Sequence, residues 1–317
     1  MGKGMKTLVI ACIALAAVAC QRDDGAAARK AAAEAARQFA AQEQPWRDER
    51  KAKLVAPDGW TSVIGLHWLD PGGHYVGSAP GNGIRLAKGP AHLGMFELGK
   101  DGRVRFVPDS AAVVTLDGQP LTGATILRRD IDEGGPSKLG FDDGKGQATI
   151  IVRGDRTALR VKHADADSRT HFRGISYWPG GPGWKVQARF VPHAKGKTLP
   201  IVNIVNMVEQ VPNPGVVEFQ RDGKTHRLEV LDQGEPTLFL VWADRTSGHG
   251  SYPAGRYLDI PRPGPDGRVV IDFNRGENPP CAFTPYATCP LPPPANRLDL
   301  AVVAGEKVYA KHKDSSF

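Results

Sequence analysis

The stretch VVEFQRDGKTHRLEV, residues 216–230, carries the clearest fold signal in the chain. Two runs of strand-forming residues, 216–220 and 225–230, flank the segment Arg221-Asp222-Gly223-Lys224. An Asp-Gly pair between two such runs is typical of a β-hairpin, because the tight turn needs positive φ angles that Gly and Asp tolerate. The stretch therefore predicts two antiparallel strands.

Short apolar runs separated by turn residues continue on both sides of this hairpin. The chain has 317 residues, of which 37 are Gly and 26 are Pro, more than average usage. This pattern predicts an all-β protein built mainly from antiparallel sandwich or barrel elements. The further predicted strands cover residues 74–76, 84–86, 94–98, 104–107, 113–116, 124–127, 147–153, 158–162, 185–190, 199–208, 237–243, 268–273 and 298–303.

The N-terminal part of the chain has a different composition. Residues 25–53 are rich in Ala and nearly free of Gly and Pro, so Ala31–Gln44 is predicted to be helical. We expect a signal peptide at 1–19 and a tether with an N-terminal helix at 20–56. A β-sandwich subdomain at 57–165 and a second β subdomain at 166–317 follow in this interpretation, and the two are expected to pack together.

The first twenty residues are typical of an exported bacterial lipoprotein. Lys3 and Lys6 precede the apolar run Leu8–Ala19, which is shorter than the roughly 20 residues that a membrane span needs. The run ends in Ala17-Val18-Ala19-Cys20, which resembles a lipobox. We therefore predict that Cys20 is lipid-modified and anchors the mature chain in a bilayer. An ordinary cleaved signal with an incidental cysteine is the alternative.

Two further residues refine the predicted anchor. Cys12 follows a second lipobox-like segment, but only five apolar residues would precede it. Gln21 stands where an Asp would resemble an inner-membrane retention signal. The predicted location is therefore the cell envelope, with the lipid in the outer membrane and the protein facing the periplasm.

The charge pattern and the motifs exclude several classes of function. Lys and Arg number 41 and Asp and Glu number 34, and this small basic excess is spread out, which favours solubility over nucleic-acid binding. The nine histidines are dispersed and no Gly-rich phosphate loop occurs. We accordingly expect no metal, no cofactor and no nucleic-acid partner.

Cys281 and Cys289 are the only other cysteines after Cys20. In an exported chain an even remaining pair predicts a disulfide, here pinning a Pro-rich loop. A catalytic thiol and a metal-binding pair are the alternatives, and both need partners that this spacing does not supply.

Several phrases of the sequence are similar to one known family. The chain resembles the bacterial and archaeal domain-of-unknown-function family 1684 from about Trp46 to Lys307. The resemblance implies kinship and brings no established activity. The phrases that carry it are Gly59-Trp60, Gly65-Leu66-His67-Trp68-Leu69, Gly255-Arg256, Asp272-Phe273-Asn274, Asn278-Pro279-Pro280-Cys281 and Cys289-Pro290-Leu291-Pro292-Pro293.

Polar residues cluster between positions 244 and 306, and they leave two interpretations open. The first is a structural network in which Arg256 pairs with Asp244, Asp272 or Glu306 and organises the Pro-rich loop. The second is a site in which paired acids act as general acid and base. Asp272 and Asn274 alternate with apolar neighbours and so share one face of a strand.

Two functions follow from these interpretations. The first is a binding or scaffolding module for a small molecule or an envelope saccharide, with Trp68, Arg256, Asn274 and Asn278 as ligand-binding residues. The alternative is a hydrolase that acts on an envelope glycan or ester through Asp244, Asp272 or Glu306. A spatial criterion separates them: catalytic acids should converge in a pocket, whereas structural acids should be buried and fully hydrogen-bonded.

The lipid anchor is tested by Cys20→Ser. This change should move the protein out of the membrane fraction, because it removes the only sulfur that the predicted lipobox presents for acylation. Metabolic labelling with a fatty-acid analogue measures the modification directly. Cys12→Ser is the matched control and should leave labelling intact. Membrane association that survives Cys20→Ser would contradict the prediction.

Overall fold

The computed structural model describes residues 7–309, with side chains from residue 26 onward. The chain divides into two compact units, Met1–Glu49 and Arg50–Phe317. The first six residues of the predicted signal peptide and the side chain of Cys20 lie outside what is described. Helix α1 (Thr7–Leu54) contains the predicted helical segment and continues through Pro45. No helix in the described part of the chain is both long enough and apolar enough to cross a bilayer.

The described residues of the second unit form nineteen strands and a short helix α2 (Asp167–Thr170). In chain order, strands β1 to β19 are Val63–Leu69, Gly72–Gly77, Ile84–Arg85, Gly94–Leu98, Val104–Pro108, Thr115–Leu116, Gln119–Pro120, Thr125–Leu127, Leu139–Phe141, Gly146–Arg153, Arg156–His163, Lys185–Pro192, Thr198–Val202, Val208–Pro212, Gly215–Arg221, Lys224–Val230, Thr237–Trp242, Arg256–Pro261 and Arg268–Asp272.

The first eleven strands form two sheets around one apolar core. Their orders are β1-β11-β10-β9-β6-β7 and β3-β2-β4-β5-β8. Alternate residues of each strand face this core, as Phe96 and Phe106 do, with ring centroids 4.7 Å apart. In β11, Leu159 and Val161 face the core, so Arg160 projects from the opposite face of the sheet.

The last eight strands form a second β layer with its own core. β16-β15-β12-β19 make a four-stranded sheet, and β17-β18 and β13-β14 are two-stranded. Trp242 and Phe273 are fully buried in this core, with ring centroids 5.6 Å apart. The hairpin β15-β16 turns at Asp222 and Gly223, which have φ angles of 50° and 72°. The all-β prediction is therefore confirmed, together with the hairpin that suggested it.

The Pro-rich loop, residues 279–293, is held by hydrogen bonds to its backbone. Tyr257 donates its hydroxyl to the Pro290 carbonyl at 2.8 Å, and the Leu291 amide donates to Val202 at 2.8 Å. Gly255 allows close packing here: its φ is +96°, and a Cβ at this position would lie 2.6 Å from a ring carbon of Pro292. Because prolines supply no backbone donors, partners from other segments fix this loop.

The predicted disulfide is not found: no covalent bond joins the buried residues Cys281 and Cys289. The Cys281 amide donates to Cys289 Sγ at 3.1 Å, so the two residues are neighbours without a covalent bond. The loop is fixed instead by the hydrogen bonds from Tyr257 and Leu291. This corrects the expectation that a covalent link pins the segment.

Two predicted strands were also wrong. Residues 199–208 form parts of β13 and β14 with a turn between them, because Asn206 adopts a positive φ of 60°. Residues 298–303 are irregular, and the chain there contacts the end of β17 through a bridge between Ala243 and Arg297. The backbone groups of this irregular segment must therefore find partners outside a sheet.

Candidate functional site

Arg256 lies fully buried at the start of β18. Its guanidinium donates to Asp244 Oδ2 at 2.7 Å, to the Val302 carbonyl at 2.9 Å and to the Ala304 carbonyl. The ring of Trp242 lies beneath it, 5.2 Å from the guanidinium carbon. Burial lowers the pKa of Arg256, and the charge of Asp244 opposes that shift. Arg256 therefore cross-links β18 to the irregular C-terminal segment.

Asp244 has both of its oxygens engaged. Oδ2 takes the guanidinium of Arg256, whereas Oδ1 accepts from the amide and hydroxyl of Thr246 at 2.7 and 2.6 Å. Oδ1 also accepts from the Val302 amide at 3.3 Å. A carboxylate with this many donors has no oxygen left for a substrate, so Asp244 is structural.

Glu306 is fully buried and forms a second ion pair. Its Oε1 accepts from Arg50 Nε at 2.9 Å, and its Oε2 accepts from the Asn278 amide at 2.6 Å. Arg50 also contacts Glu277 at 3.0 Å and donates to the Asn278 carbonyl at 3.0 Å. Although burial opposes it, the charges of Glu306 and Glu277 hold the pKa of Arg50 above its ordinary value.

Asp272 and Asn274 form a local turn at the end of β19. Asp272 Oδ1 accepts from the amide and the side-chain nitrogen of Asn274 at 3.2 and 2.9 Å. Asn274 is buried and also binds both backbone groups of Gly181 at 3.0 Å. These contacts cap a turn, so neither side chain faces a pocket.

A cavity of about 430 Å³ lies elsewhere in the second unit. It is bounded by the end of α1, the outer face of β10 and β11, strands β17 and β18, and the Pro-rich loop. Its lining residues are Arg50, Leu54, Trp60, Arg153, Arg160, Gln233, Phe239, Tyr257, Leu258, Asp259, Glu277, Asn278, Pro280, Ala287, Thr288, Cys289 and Pro290.

The lining of the cavity differs from the predicted set of ligand-binding residues. Among the four predicted ligand-binding residues, Asn278 lines it, and Trp68, Arg256 and Asn274 do not. Trp68 is half-buried under Arg156, whose guanidinium carbon lies 4.2 Å from the ring centroid. Arg256 and Asn274 are occupied by Asp244 and Gly181 respectively. The three predicted acids, Asp244, Asp272 and Glu306, also lie outside the lining.

One end of the cavity is basic and incompletely paired. Arg160 lies over the ring of Trp60 at 5.1 Å, and its Nε is buried with no hydrogen-bond partner. Burial and the neighbouring Arg153 lower the pKa of Arg160 to about 10, so it stays charged at neutral pH. Arg153 is paired: it binds Asp130 at 2.6 Å and donates to the Thr288 hydroxyl at 3.0 Å.

A second group of lining residues, called the acidic end below, contains Glu277, Asp259 and Asn278. Burial raises the pKa of Glu277 to about 7, and the ion pair with Arg50 only partly offsets this effect. Burial and the charge of Glu235 also raise the pKa of Asp259. The Oδ1 atom of Asn278 is buried here with no donor. Two buried polar groups without partners, one at Arg160 and one at Asn278, therefore line the same cavity.

Sequence reasoning missed the residues that form the cavity. Arg160 and Lys162 alternate with apolar residues in β11, which is also the pattern of an ordinary strand with one solvent-exposed face. Glu277 and Asp259 follow no motif. The available signals were the phrases of the family resemblance that contain Trp60, Asn278 and Cys289, all of which line the cavity. Within the described residues, no group of three His, Cys, Asp or Glu side chains could hold a metal ion.

Comparisons with known proteins identify relatives without an assigned activity. Residues 170–307 match the family described as "Protein of unknown function (DUF1684)". The solution NMR structure of an uncharacterized protein from gene locus rrnAC0354 of Haloarcula marismortui is 30% identical. That match covers 45% of this chain and 81% of the archaeal chain, with a TM-score of 0.38. No curated protein matches the chain.

The structural role of Arg256 is tested by Arg256→Ala. Removing the guanidinium leaves Asp244 charged and unpaired in the core, so the free energy of unfolding should fall by about 3–5 kcal/mol. Arg262→Ala is the matched control, because Arg262 pairs with Asp232 at the surface; it should cost about 1 kcal/mol or less. Urea denaturation measures both. Equal losses in the two variants would contradict the assignment.

Proposed function

The chain belongs to the DUF1684 family, and from the geometry of its cavity we propose that it is a cell-envelope lipoprotein that binds a small molecule. The ligand occupies the cavity between Trp60, Tyr257 and the Pro-rich loop. Its volume of about 430 Å³ lies in the range of small-molecule sites. The protein surrounds the ligand with apolar walls and a few polar groups.

The observation that carries this proposal is the pair of unsatisfied polar groups in the cavity. Arg160 Nε and Asn278 Oδ1 are buried and lack partners. Leaving such groups unpaired costs about 1–3 kcal/mol each, and more for a charged group. Arg256 Nε and Trp242 Nε1 are also buried without a partner, although neither residue lines the cavity. What distinguishes Arg160 is that its guanidinium donates no hydrogen bond to any of the described residues. A bound acceptor in the cavity would supply the partner that this guanidinium lacks.

The envelope part of the proposal is supported by the N-terminal sequence. The basic start, the apolar run and Cys20 are the features of a lipoprotein signal. A lipid anchor on Cys20 would place the bilayer beside the protein as its first partner. The cavity then binds a periplasmic compound. A saccharide is one such ligand, because the lining of the cavity is both polar and aromatic.

A hydrolase is the second candidate, and Glu277 is the observation that favours it. A carboxyl group with a pKa of about 7 inside a cavity is suited to transfer a proton near neutral pH. However, Glu277 is already paired with Arg50 at 3.0 Å, and two of the acids first considered for catalysis, Asp244 and Glu306, have both carboxylate oxygens hydrogen-bonded. Binding is therefore the better supported function.

Trp60→Ala and Trp68→Ala form a matched pair that tests the binding site. Both tryptophans lie under an arginine of β11, but Trp60 lines the cavity and Trp68 does not. Ligand-observed NMR with a library of neutral, cationic and anionic aromatic fragments should find compounds that compete for one site. Trp60→Ala should weaken them by about tenfold or more, since a wall of the site is lost. Trp68→Ala should leave their affinities unchanged. Compounds that bind the Trp60→Ala variant as tightly as the parent protein would contradict the proposal.

A further inference from the structure

We propose that the ligand of this cavity carries a carboxylate or phosphate group, bound by Arg160, and a separate hydrogen-bond donor, bound by Asn278 and Glu277. This inference rests on the proposed ligand-binding function and adds the chemical class of the ligand. It follows from the pairing of the cavity's charged groups and from the nature of its walls.

The arginines that line the cavity differ in their pairing. Arg50 binds two carboxylates, Glu277 and Glu306, at 3.0 and 2.9 Å. Arg153 binds Asp130 at 2.6 Å. Among the described residues, no carboxylate lies within ion-pair distance of Arg160, and its guanidinium donates no hydrogen bond to the protein. A guanidinium presents a planar fork of donors that matches carboxylate and phosphate oxygens. Arg160 is therefore the open anion-binding position.

Thr288 adds a second donor at the same end. Its hydroxyl oxygen accepts from Arg153 Nε at 3.0 Å, which leaves the hydroxyl proton available to a ligand oxygen. Arg153 thereby orients Thr288 and adds positive potential without binding the ligand itself. An oxyanion at this end would meet two nearby positive charges and one hydroxyl donor. Such charge-assisted hydrogen bonds are about twice as strong as neutral ones.

The acidic end is electrostatically separate from this basic end. The charges that act on Arg160 come from Arg153, Asp130 and Cys289. Those that act on Glu277 come from Arg50, Glu306, Asp259 and Lys53. The two groups share no electrostatic partner, so each belongs to its own set of charges.

A ligand that satisfies both ends must be polar at each. At the acidic end, Asn278 Oδ1 lacks a donor, and Glu277 can accept a hydrogen bond once it is ionised. A hydroxyl or an ammonium group supplies what is missing there, whereas a second anion would be repelled by Glu277 and Asp259.

Part of the cavity lining is apolar and aromatic. It includes Trp60, Phe239 and Tyr257, and the rings of Phe239 and Tyr257 meet edge to face with centroids 4.9 Å apart. Flat aromatic walls favour a planar or ring-shaped ligand body. The ligand class is thus a ring compound with an anionic group and a separate hydrogen-bond donor.

The test uses benzoate, phenyl phosphate and neutral benzamide as probes of the purified protein. Calorimetry gives their affinities, and ¹H–¹⁵N spectra of backbone amides and arginine Nε groups locate them. Benzoate or phenyl phosphate should bind at least about tenfold more tightly than benzamide, because only the anions meet the unpaired guanidinium. Comparing the two anions shows whether the site prefers a carboxylate or a phosphate. Adding an aminomethyl group opposite the carboxylate of benzoate should strengthen binding further.

Three variants make the result specific to Arg160. Arg160→Gln should abolish the preference for the anion, and Arg160→Lys should restore part of it because the charge returns. Arg156→Gln is the matched control, since Arg156 lies on the same strand over Trp68 outside the cavity, and it should bind all probes like the parent protein. Circular dichroism confirms that each variant is folded.

The outcomes separate this inference from the proposed function. If benzamide and benzoate shift the cavity resonances with equal affinity, or if Arg160→Gln keeps the preference, the anion assignment is wrong and the binding site stands. If none of the probes shifts these resonances at about 10 mM, a concentration that detects millimolar affinity, the anion assignment and the proposed binding site both fail.

Discussion

The buried ion pair between Arg256 and Asp244 is the interaction on which the C-terminal half of the protein depends. Residues 302–304 belong to no sheet, so their carbonyls need donors from elsewhere. Arg256 supplies these donors at Val302 and Ala304 while its charge is balanced by Asp244. Taking two charges out of water costs several kcal/mol, which only a completely bonded geometry offsets. Here both oxygens of Asp244 and two nitrogens of the guanidinium are hydrogen-bonded, whereas Arg256 Nε has no partner.

The ion pair between Arg256 and Asp244 also affects the cavity, through the residues that follow Ala304 in the chain. Fixing Ala304 places Glu306 in the core, where it binds Arg50 and the Asn278 amide. Arg50 in turn holds Glu277, and Asn278 leads into the Pro-rich loop. The acidic end of the cavity is thus built by a chain of buried ionic contacts that begins at Asp244. Arg160, in contrast, lies over the ring of Trp60 and forms no hydrogen bond or ion pair through its side chain with the described residues. Among the described residues, the protein thus pairs the guanidinium groups of Arg50, Arg153 and Arg256 with carboxylates and leaves that of Arg160 without one.

The sequence predicted what local rules decide and missed what tertiary contacts decide. The Asp222-Gly223 turn was identifiable because its φ angles demand those residues. The partnership of Arg256 with an acid was also predictable, although the segment that it fixes is 302–304 and not the Pro-rich loop. The disulfide was predicted from the number of cysteines. In the structure, the Cys281 amide instead donates a hydrogen bond to Cys289 Sγ. The cavity could not be predicted because Arg160 and Glu277, which both line it, are 117 positions apart in the sequence. Nothing in their local sequence distinguishes them from surface residues.

The central claim is that Arg160 serves a ligand and not the fold, and the thermal stability of Arg160→Met measures this most directly. Methionine preserves the apolar stem and the contact with Trp60 but removes the unpaired charge. If Arg160 is retained for binding, it should lower the stability of the ligand-free protein. The melting temperature of Arg160→Met should therefore rise by about 2–4 °C, as expected for a gain of about 1 kcal/mol in a chain of this size. Arg256→Met, measured beside it, should melt at a lower temperature than the parent protein because Asp244 loses its partner. A fall in melting temperature for Arg160→Met would show that this arginine stabilises the fold, and would contradict the account.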